Sequence, residues 1–396
     1  MSAGRFALIA ALCVGLIACR ASAPARATAE TPDEPGPGIG ELVEEQARRL
    51  DDGEFQRLLD QMYRDTEGYA PMISWREVAS GILGGGAGLD LQGIARGLGR
   101  YMFREIVASM RLLGKLVILA VAVALLQNLG ASLDSGGVAN LAESACYLSL
   151  VVMAAGSFSY SVGVARGIIS NMVTLMKALL PTLVALVAAS GAPVSASLLH
   201  PIMISTVYAV SVITSEYVLT LLMLAAVLEI AGHVVRPFRV SGLAALLKQA
   251  STLVLGLSMA FFVGVVVVNR AAGGVADGVA LRSAKFLSGT FVPVVGKMFS
   301  DAVDMVFASS HLLRTAVGLT GAAAVIVTTA FPLCKIASLV VVYRIAAALV
   351  QPMGAGTLSE CLNGIAGSLA LVSVAAAAVA MMFVIGITAL VVAVHP

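Results

Sequence analysis

The chain has 396 residues, of which 59% are apolar and 12% are charged, and its mean hydropathy is +0.95. Soluble globular domains carry about 25% charged residues, so this composition argues against a soluble enzyme. A net charge of +2 gives the chain no large excess of basic residues with which to bind nucleic acid. Residues 1–111 hold 27 of the 48 charged residues, and the much longer stretch 112–396 holds the other 21. We therefore expect a polar N-terminal piece followed by a long membrane-embedded piece.

Residues 1–23 are predicted to be a signal peptide. Arg5 precedes an apolar run over 6–18, which is short for a helix that must span about 30 Å of hydrocarbon. Small residues follow this run, and 21–23 match the A-x-A pattern of a cleavage site. Two alternatives remain open, namely acylation of Cys19 after cleavage at a lipobox and an uncleaved anchor.

Residues 24–111 are predicted to form an extracytoplasmic helical segment with a flexible linker. The linker is the Pro-, Ala- and Gly-rich stretch 24–38, and apolar residues at helical spacing over 41–69 predict two short amphipathic helices. Three arginines four residues apart share one face of a later helix: Arg96, Arg100 and Arg104. We interpret this face as solvated, with anionic headgroups or an acidic partner as the alternative contact.

Residues 112–396 are predicted to be an all-α, polytopic bundle of membrane helices. Seven segments are apolar over about 20 residues, as a spanning helix requires: 112–131, 145–165, 197–215, 217–235, 249–268, 315–334 and 366–394. Two further segments, 173–190 and 336–350, contain Lys177 or Arg344 and are predicted to be re-entrant or broken helices.

The basic loop 236–248 is predicted to be cytoplasmic, because cytoplasmic loops of membrane proteins are enriched in Lys and Arg. Counting outward from this loop with nine spans places residues 24–111 and 270–314 outside the cell. The same count places the C-terminus inside.

The stretch 269–311 is too polar to span a membrane in one piece and too apolar for a free loop. We predict amphipathic helices that lie at the interface or fold back into the bundle, with breaks at Gly289 and Pro293. Asp301 follows Lys297 by one helical turn, which predicts a local ion pair.

The sequence contains no metal-ligand spacing of cysteines, no HExxH, no GxSxG and no phosphate-binding loop. We therefore predict no catalytic, cofactor-binding or metal-binding residues. The one polar pair of interest within an apolar segment is Glu229 and His233, which are four residues apart and could share a proton. The alternative is that His233 reaches water from the end of a span.

Three stretches of the sequence resemble the stage III sporulation protein AE family of endospore-forming bacteria. They are 179–201, 276–302 and 331–354, with motifs such as Ala276-Asp277-Gly278-Val279 and Gln351-Pro352-Met353-Gly354. The motif residues that we single out are Pro181, His200, Pro201, Asp277, Gly278, Lys285, Pro293, Asp301 and Pro352.

The resemblance implies a non-enzymatic membrane subunit of a sporulation channel or secretion complex between mother cell and forespore. It implies a place in the mother-cell membrane, an extracytoplasmic N-terminal segment, and motif residues that shape helix breaks and subunit contacts. The implied partners are the other stage III sporulation A-operon proteins, a forespore-side channel partner and membrane lipid. Two alternatives remain, a self-contained secondary transporter with a substrate site at broken helices around Pro181 and Pro332, and an intramembrane enzyme.

Overall fold

A computed structural model describes residues 91–132, 136–234, 241–291, 295–353 and 356–392. Within these ranges the chain is helical, and they contain no β-strand. The predicted signal peptide, linker and amphipathic helices over 1–69 lie outside the described residues.

The described residues form eight α-helices, and several of them are unusually long. In chain order they are α1 (Leu91–Ala108), α2 (Met110–Ser132), α3 (Gly136–Ala189), α4 (Pro193–Val212), α5 (Leu219–Val234), α6 (Ser241–Phe291), α7 (Val295–Val350) and α8 (Gly356–Val392). A π-helical segment, Ile213–Val218, joins α4 to α5, and a 3₁₀ turn, Gln351–Met353, follows α7.

Six stretches of the described helices are long and apolar enough to cross a membrane. They are Arg96–Leu126, Ser144–Ala189, Pro193–Gly232, Gly242–Val279, Met305–Val350 and Gly356–Val391. The predicted class, an all-α polytopic bundle, is confirmed. The predicted count of seven firm and two doubtful spans is wrong.

The count differs because three pairs of predicted segments are each one continuous helix. Segments 145–165 and 173–190 both belong to α3, and 315–334 and 336–350 both belong to α7. The pair 197–215 and 217–235 is joined through the π-helical segment.

Charged residues and prolines within these helices do not interrupt them. Lys177, Arg344 and Glu216 are exposed on the helix surface, where a charge leaves the backbone hydrogen bonds intact. Pro181 lies inside α3 and Pro332 inside α7, and both helices continue through them. Membrane helices tolerate proline where neighbouring groups satisfy the freed carbonyl.

The six-span count changes the predicted topology of the chain. An even number of spans places the start of α1 and the end of α8 on the same side of the membrane, whereas nine spans place them on opposite sides. The assignment of the loop 236–248 to the cytoplasm stays a prediction.

The stretch 269–311 is not broken at Gly289. Helix α6 runs through this residue to Phe291, and α7 begins at Val295. A glycine in a helix interior costs about 1 kcal/mol relative to alanine, which is too little to end a long helix. Pro293 lies between the two helices, outside the described residues.

The centre of the bundle is an antiparallel hairpin of α7 and α8 that packs on α3. Val391 near the end of α8 contacts Gly318 of α7, and at the other end Ser359 Oγ donates to the Ala347 carbonyl at 2.9 Å. The continuous helix α4–α5 forms a second hairpin with α6, and α1 and α2 pack on the outside of α7 and α3. Buried aliphatic side chains of these helices form one large core.

The connection between α3 and α4 is a tight turn at Ser190–Ala192. Gly191 has φ 89°, a left-handed conformation that glycine adopts without steric cost. A Cβ at this position would also lie 3.0 Å from the ring of Phe307. Pro193 is the first residue of α4, where its missing N–H leaves no hydrogen bond unmade.

Candidate functional site

Three polar side chains from three helices meet near the end of the bundle that carries the connection between α5 and α6. Glu229 of α5 forms an ion pair with Lys248 of α6, with 2.5 Å between Oε2 and Nζ. The hydroxyl of Ser368 on α8 donates to the same carboxylate oxygen at 2.8 Å. We call these three residues the Glu229 cluster.

A glycine allows the carboxylate of Glu229 to lie directly against α8. A Cβ on Gly364 would stand 2.8 Å from Oε1 and 2.9 Å from Cδ of Glu229, closer than real contacts allow. Gly364 precedes Ser368 by one helical turn. The space at Gly364, which has no side chain, and the hydroxyl of Ser368 together accommodate the Glu229 carboxylate on α8.

The Glu229 cluster balances its own charge. The side chains of Lys248 and Glu229 are 21% and 20% exposed, so both are largely withdrawn from solvent. A carboxylate and an ammonium in contact neutralise each other, which lowers the cost of holding them in an apolar bundle. His233 lies one turn after Glu229 in α5, but its side chain is not described, so a shared proton stays a prediction.

A second carboxylate, Asp277 of α6, binds the first turn of α4. Its Oδ1 accepts from the amide of Val194 at 2.9 Å, and its Oδ2 accepts from the amide of Ser195 at 3.0 Å. The first amides of a helix have no partner within the helix, and the helix dipole favours negative charge there. Ala192, at the N-cap, has no side chain that could bind them, so Asp277 supplies the cap from another helix.

Close packing of α6 on α4 brings Asp277 into place. Gly273, one turn before Asp277, lies against Ser195, and a Cβ there would overlap the Ser195 side chain. Asp277 itself is only 6% exposed. Its neighbour Gly278 is half-buried, and a Cβ on it would meet nothing within 4 Å, so no close contact requires a glycine at 278.

A buried arginine lies beside the turn between α3 and α4. Arg314 of α7 is 0% exposed, and its Nη1 donates to Ser190 Oγ at 3.0 Å. The Ser190 hydroxyl in turn donates to the Val187 carbonyl at 2.8 Å. Within the part of the chain that the structure describes, Nε and Nη2 of Arg314 have no hydrogen-bond partner.

The other motif residues are spread over the bundle. Pro181 is exposed within α3, His200 is half-buried and Pro201 exposed within α4, and Pro352 is exposed in the 3₁₀ turn. Lys285 lies in α6 and Asp301 in α7, but their side chains are not described. Of the described motif residues, Asp277 is the one seen to bind another helix.

Sequence reasoning missed the partners of the two carboxylates. Lys248 served only as a marker of a cytoplasmic loop, and Ser368 carried no signal of its own. The buried Arg314, which binds neither carboxylate, was not singled out either. Basic residues that border an apolar segment were the available clue, since such residues often pair with an acid in a neighbouring helix.

Among the described residues, no group of three or more His, Cys, Asp and Glu side chains is placed to hold a metal ion. The polar groups described above are instead arranged to connect helices. Glu229 links α5 to α6 and α8, and Asp277 links α6 to α4.

Comparison with known proteins gives two matches. The family described as Stage III sporulation protein AE matches residues 73–394. A curated relative, the stage III sporulation protein AE of Bacillus subtilis (strain 168), is 33% identical over 390 residues, which cover 98% of this chain and 98% of that protein. No solved structure matches the chain.

Proposed function

Since this chain belongs to the stage III sporulation protein AE family, we propose that it is a non-enzymatic integral membrane subunit of a sporulation channel or secretion complex. The family assigns the chain a role in sporulation. The six helices long enough to cross a membrane make it a multi-pass membrane protein. The channel complex itself, linking mother cell and forespore, is the proposed step beyond these two statements.

The observation that carries the proposal is the use of charged groups inside the bundle. The Glu229 carboxylate contacts Lys248 and Ser368, and the Asp277 carboxylate is occupied by two backbone amides. Both groups fix the relative positions of helices. Such fixed helix contacts suit a scaffold that other subunits assemble on.

We propose the mother-cell membrane as its location, with the N-terminal segment outside the cytoplasm. Its proposed partners are the other stage III sporulation A-operon proteins, a forespore-side channel partner and membrane lipid. The exposed motif residues Pro181, Pro201 and Pro352 are proposed to contact these subunits or to shape the helix surface that does.

The alternative, a self-contained secondary transporter, has less support than it had from the sequence. Transporter sites of this type use unwound backbone at the ends of half-helices to bind substrate. Helices α3 and α7 continue through Pro181 and Pro332, where such breaks were expected.

Affinity purification of the tagged chain from sporulating cells of its own host tests the proposal. We expect the other A-operon proteins to be recovered with it in a mild detergent. Recovery of the chain alone, at the stage when spores form, would contradict the channel hypothesis.

A paired substitution separates a scaffold from a proton-coupled transporter. The double variant Glu229→Gln, Lys248→Gln removes both charges of the Glu229 cluster while keeping its net charge at zero. A scaffold with this change should still support spore formation, whereas a transporter that moves protons through Glu229 should not. The exposed change Glu360→Gln on α8 is the control.

A further inference from the structure

One side of α3 is polar along the middle of the stretch Ser144–Ala189, which is long and apolar enough to cross a membrane. Six exposed residues, spaced three or four apart, define what we call the α3 polar face: Ser159, Gly163, Arg166, Ser170, Thr174 and Lys177. At 1.5 Å per residue this face extends over about 27 Å. The hydrocarbon core of a bilayer is about 30 Å thick, so the polar face nearly matches it.

The exposed surface of α6, by contrast, is apolar over 253–268. Leu253, Leu257 and Val267 on it are 62%, 62% and 59% exposed. An arginine at the centre of a membrane helix costs about 2.5–3.5 kcal/mol on insertion scales. The hydroxyl of Thr174 already donates to the Ser170 carbonyl at 3.1 Å, so it is the charged groups of the α3 polar face, above all Arg166, that are unsuited to lipid and favour a polar cover.

Arg166 lies at the middle of the span Ser144–Ala189. It is exposed, and it forms no ion pair with any residue that the structure describes. The same holds for Glu216 in the span Pro193–Gly232, which is exposed in the π-helical segment. Within the described ranges, the polar contact of its carboxylate is the hydroxyl of its own neighbour Ser215, at 3.3 Å.

The basic and the acidic residue lie at the same depth. Helix α3 and the continuous helix α4–α5 run antiparallel from the turn at Gly191, and Arg166 precedes this glycine by as many positions as Glu216 follows it. Each is thus about 37 Å from the turn along its helix. The described part of one copy leaves both charges without an ion pair, although their depths match.

We propose that the α3 polar face is covered by a second copy of this chain, whose Glu216 pairs with Arg166. Every copy carries both halves of the ion pair at the same level, so the complementarity is built into the chain itself. Ion pairs between exposed surfaces determine which faces meet and in which register. The proposal requires only that the chain lies in a membrane, and it is independent of the larger complex.

The surface around Arg166 also permits close approach. A Cβ added to Gly163 or Gly167, on either side of Arg166, would meet nothing within 4 Å. Glycines four residues apart let the backbones of two membrane helices come close together. A helix of the second copy can therefore approach α3 near enough for the Glu216 carboxylate to reach the guanidinium.

Co-purification of two differently tagged copies tests the proposal. Both copies are produced in a host that makes no sporulation proteins, and one tag is pulled down in mild detergent. We expect the wild-type copies to co-purify, and Arg166→Glu or Glu216→Arg alone to reduce the recovered second copy about tenfold, the effect of about 1.4 kcal/mol. The double exchange Arg166→Glu, Glu216→Arg, made in both copies, should restore most of the recovery.

Matched charge reversals elsewhere are the controls. Arg344→Glu on α7 and Glu360→Arg on α8 alter exposed residues and should leave co-purification at the wild-type level. Size-exclusion profiles show whether each variant is folded, and the neutral changes Arg166→Gln and Glu216→Gln serve where a reversal does not fold. Wild-type copies that fail to associate, single reversals without effect, or a folded double exchange that stays dissociated would each overturn the proposal. The first of these results would indicate another protein as the cover.

Discussion

Asp277 acts on residues that are distant along the chain. Its two oxygens bind the amides of Val194 and Ser195, which are 83 and 82 residues away. Each oxygen accepts one hydrogen bond, so both oxygens of the carboxylate take part in the contact. A charged cap at a helix start contributes about 0.5–2 kcal/mol.

Asparagine at this position should weaken the cap. Asp277→Asn keeps the shape of the side chain, but it removes the charge and turns an amide donor toward a backbone N–H. We expect the free energy of unfolding to fall by about 1–2 kcal/mol. A dye that reacts with the thiols of Cys334 and Cys361, both buried in the folded bundle, measures the melting temperature in detergent.

The exposed change Glu360→Gln is the control for Asp277→Asn. It removes the same charge from the same protein at an exposed residue that lies beyond the first turn of α8. Equal melting temperatures for Asp277→Asn and the wild type would contradict the capping role.

The two charges of the Glu229 cluster should depend on each other. Glu229→Gln leaves the Lys248 ammonium without its carboxylate, and Lys248→Met leaves the carboxylate without its ammonium. Each single change should lower the melting temperature more than the double change does, with a coupling energy of about 0.5–3 kcal/mol. A double-mutant cycle with the same thiol assay measures this coupling, and strictly additive effects would show that the pair contributes nothing.

Sequence analysis could find these carboxylates but not their partners. Glu229 was recognised because it interrupts an apolar segment, and the spacing rule then offered only His233 on the same helix. Lys248 lies on the next helix, and which faces of two helices meet depends on the packing of the whole bundle. The partners of Asp277 are backbone amides, which have no side-chain signature at all.

At the level of helices, two glycines of α8 form a matched pair for experiment. Gly364→Ala would push a methyl group into the Glu229 carboxylate and should separate α5 from α8, with a cost of about 1–3 kcal/mol for overpacking. Gly367→Ala meets nothing within 4 Å and should be neutral or slightly stabilising, because alanine favours a helix.

The thiol-reactivity melt compares the two glycine variants directly. A lower melting temperature for Gly364→Ala than for Gly367→Ala is the expected result. If both variants melt like the wild type, α8 does not need the close approach at Gly364.

The boundaries of the spans were the weakest part of the sequence analysis. The mean hydropathy of a sliding window falls wherever a charged residue or a proline occurs. The predicted spans therefore ended near Arg166, Glu216 and Lys335. Arg166 and Glu216 are exposed, and a charged side chain on the surface of a helix leaves the backbone hydrogen bonds intact. Lys335 is half-buried, and α7 continues through it as well. The true turn at Gly191 and Pro193, by contrast, carries the signals typical of a helix end and a helix start.

For the molecule as a whole, composition was enough to predict the class, because the few charges of the stretch 112–396 cannot cover a soluble surface. The order in which helices pack could not be predicted. The contacts of α7 with α3 and of α5 with α8 join residues far apart along the chain. The pattern of a membrane helix shows how apolar it is, but not which helix lies beside it.

The six-span arrangement predicts which connections share a side of the membrane. Reporter fusions after residues 134, 237 and 354 should all report one side, and fusions after residues 191 and 293 should report the other. A nine-span chain would instead place 191 with 134 and 237, and 354 on the opposite side. Alkaline phosphatase and green fluorescent protein fusions at the same positions measure this, each serving as the control of the other.

The π-helical segment Ile213–Val218 sets the rotational phase of α5. The amide of Leu219 bonds to the Thr214 carbonyl five residues earlier, so this turn holds one residue more than an α-turn. Each residue of an α-helix adds a rotation of about 100°. A chain that lacked the additional residue would turn Glu229 away from Lys248 and Ser368, although none of the three had changed. The additional residue of the π-turn thus determines whether α5, α6 and α8 meet at the Glu229 cluster, several turns further along the chain.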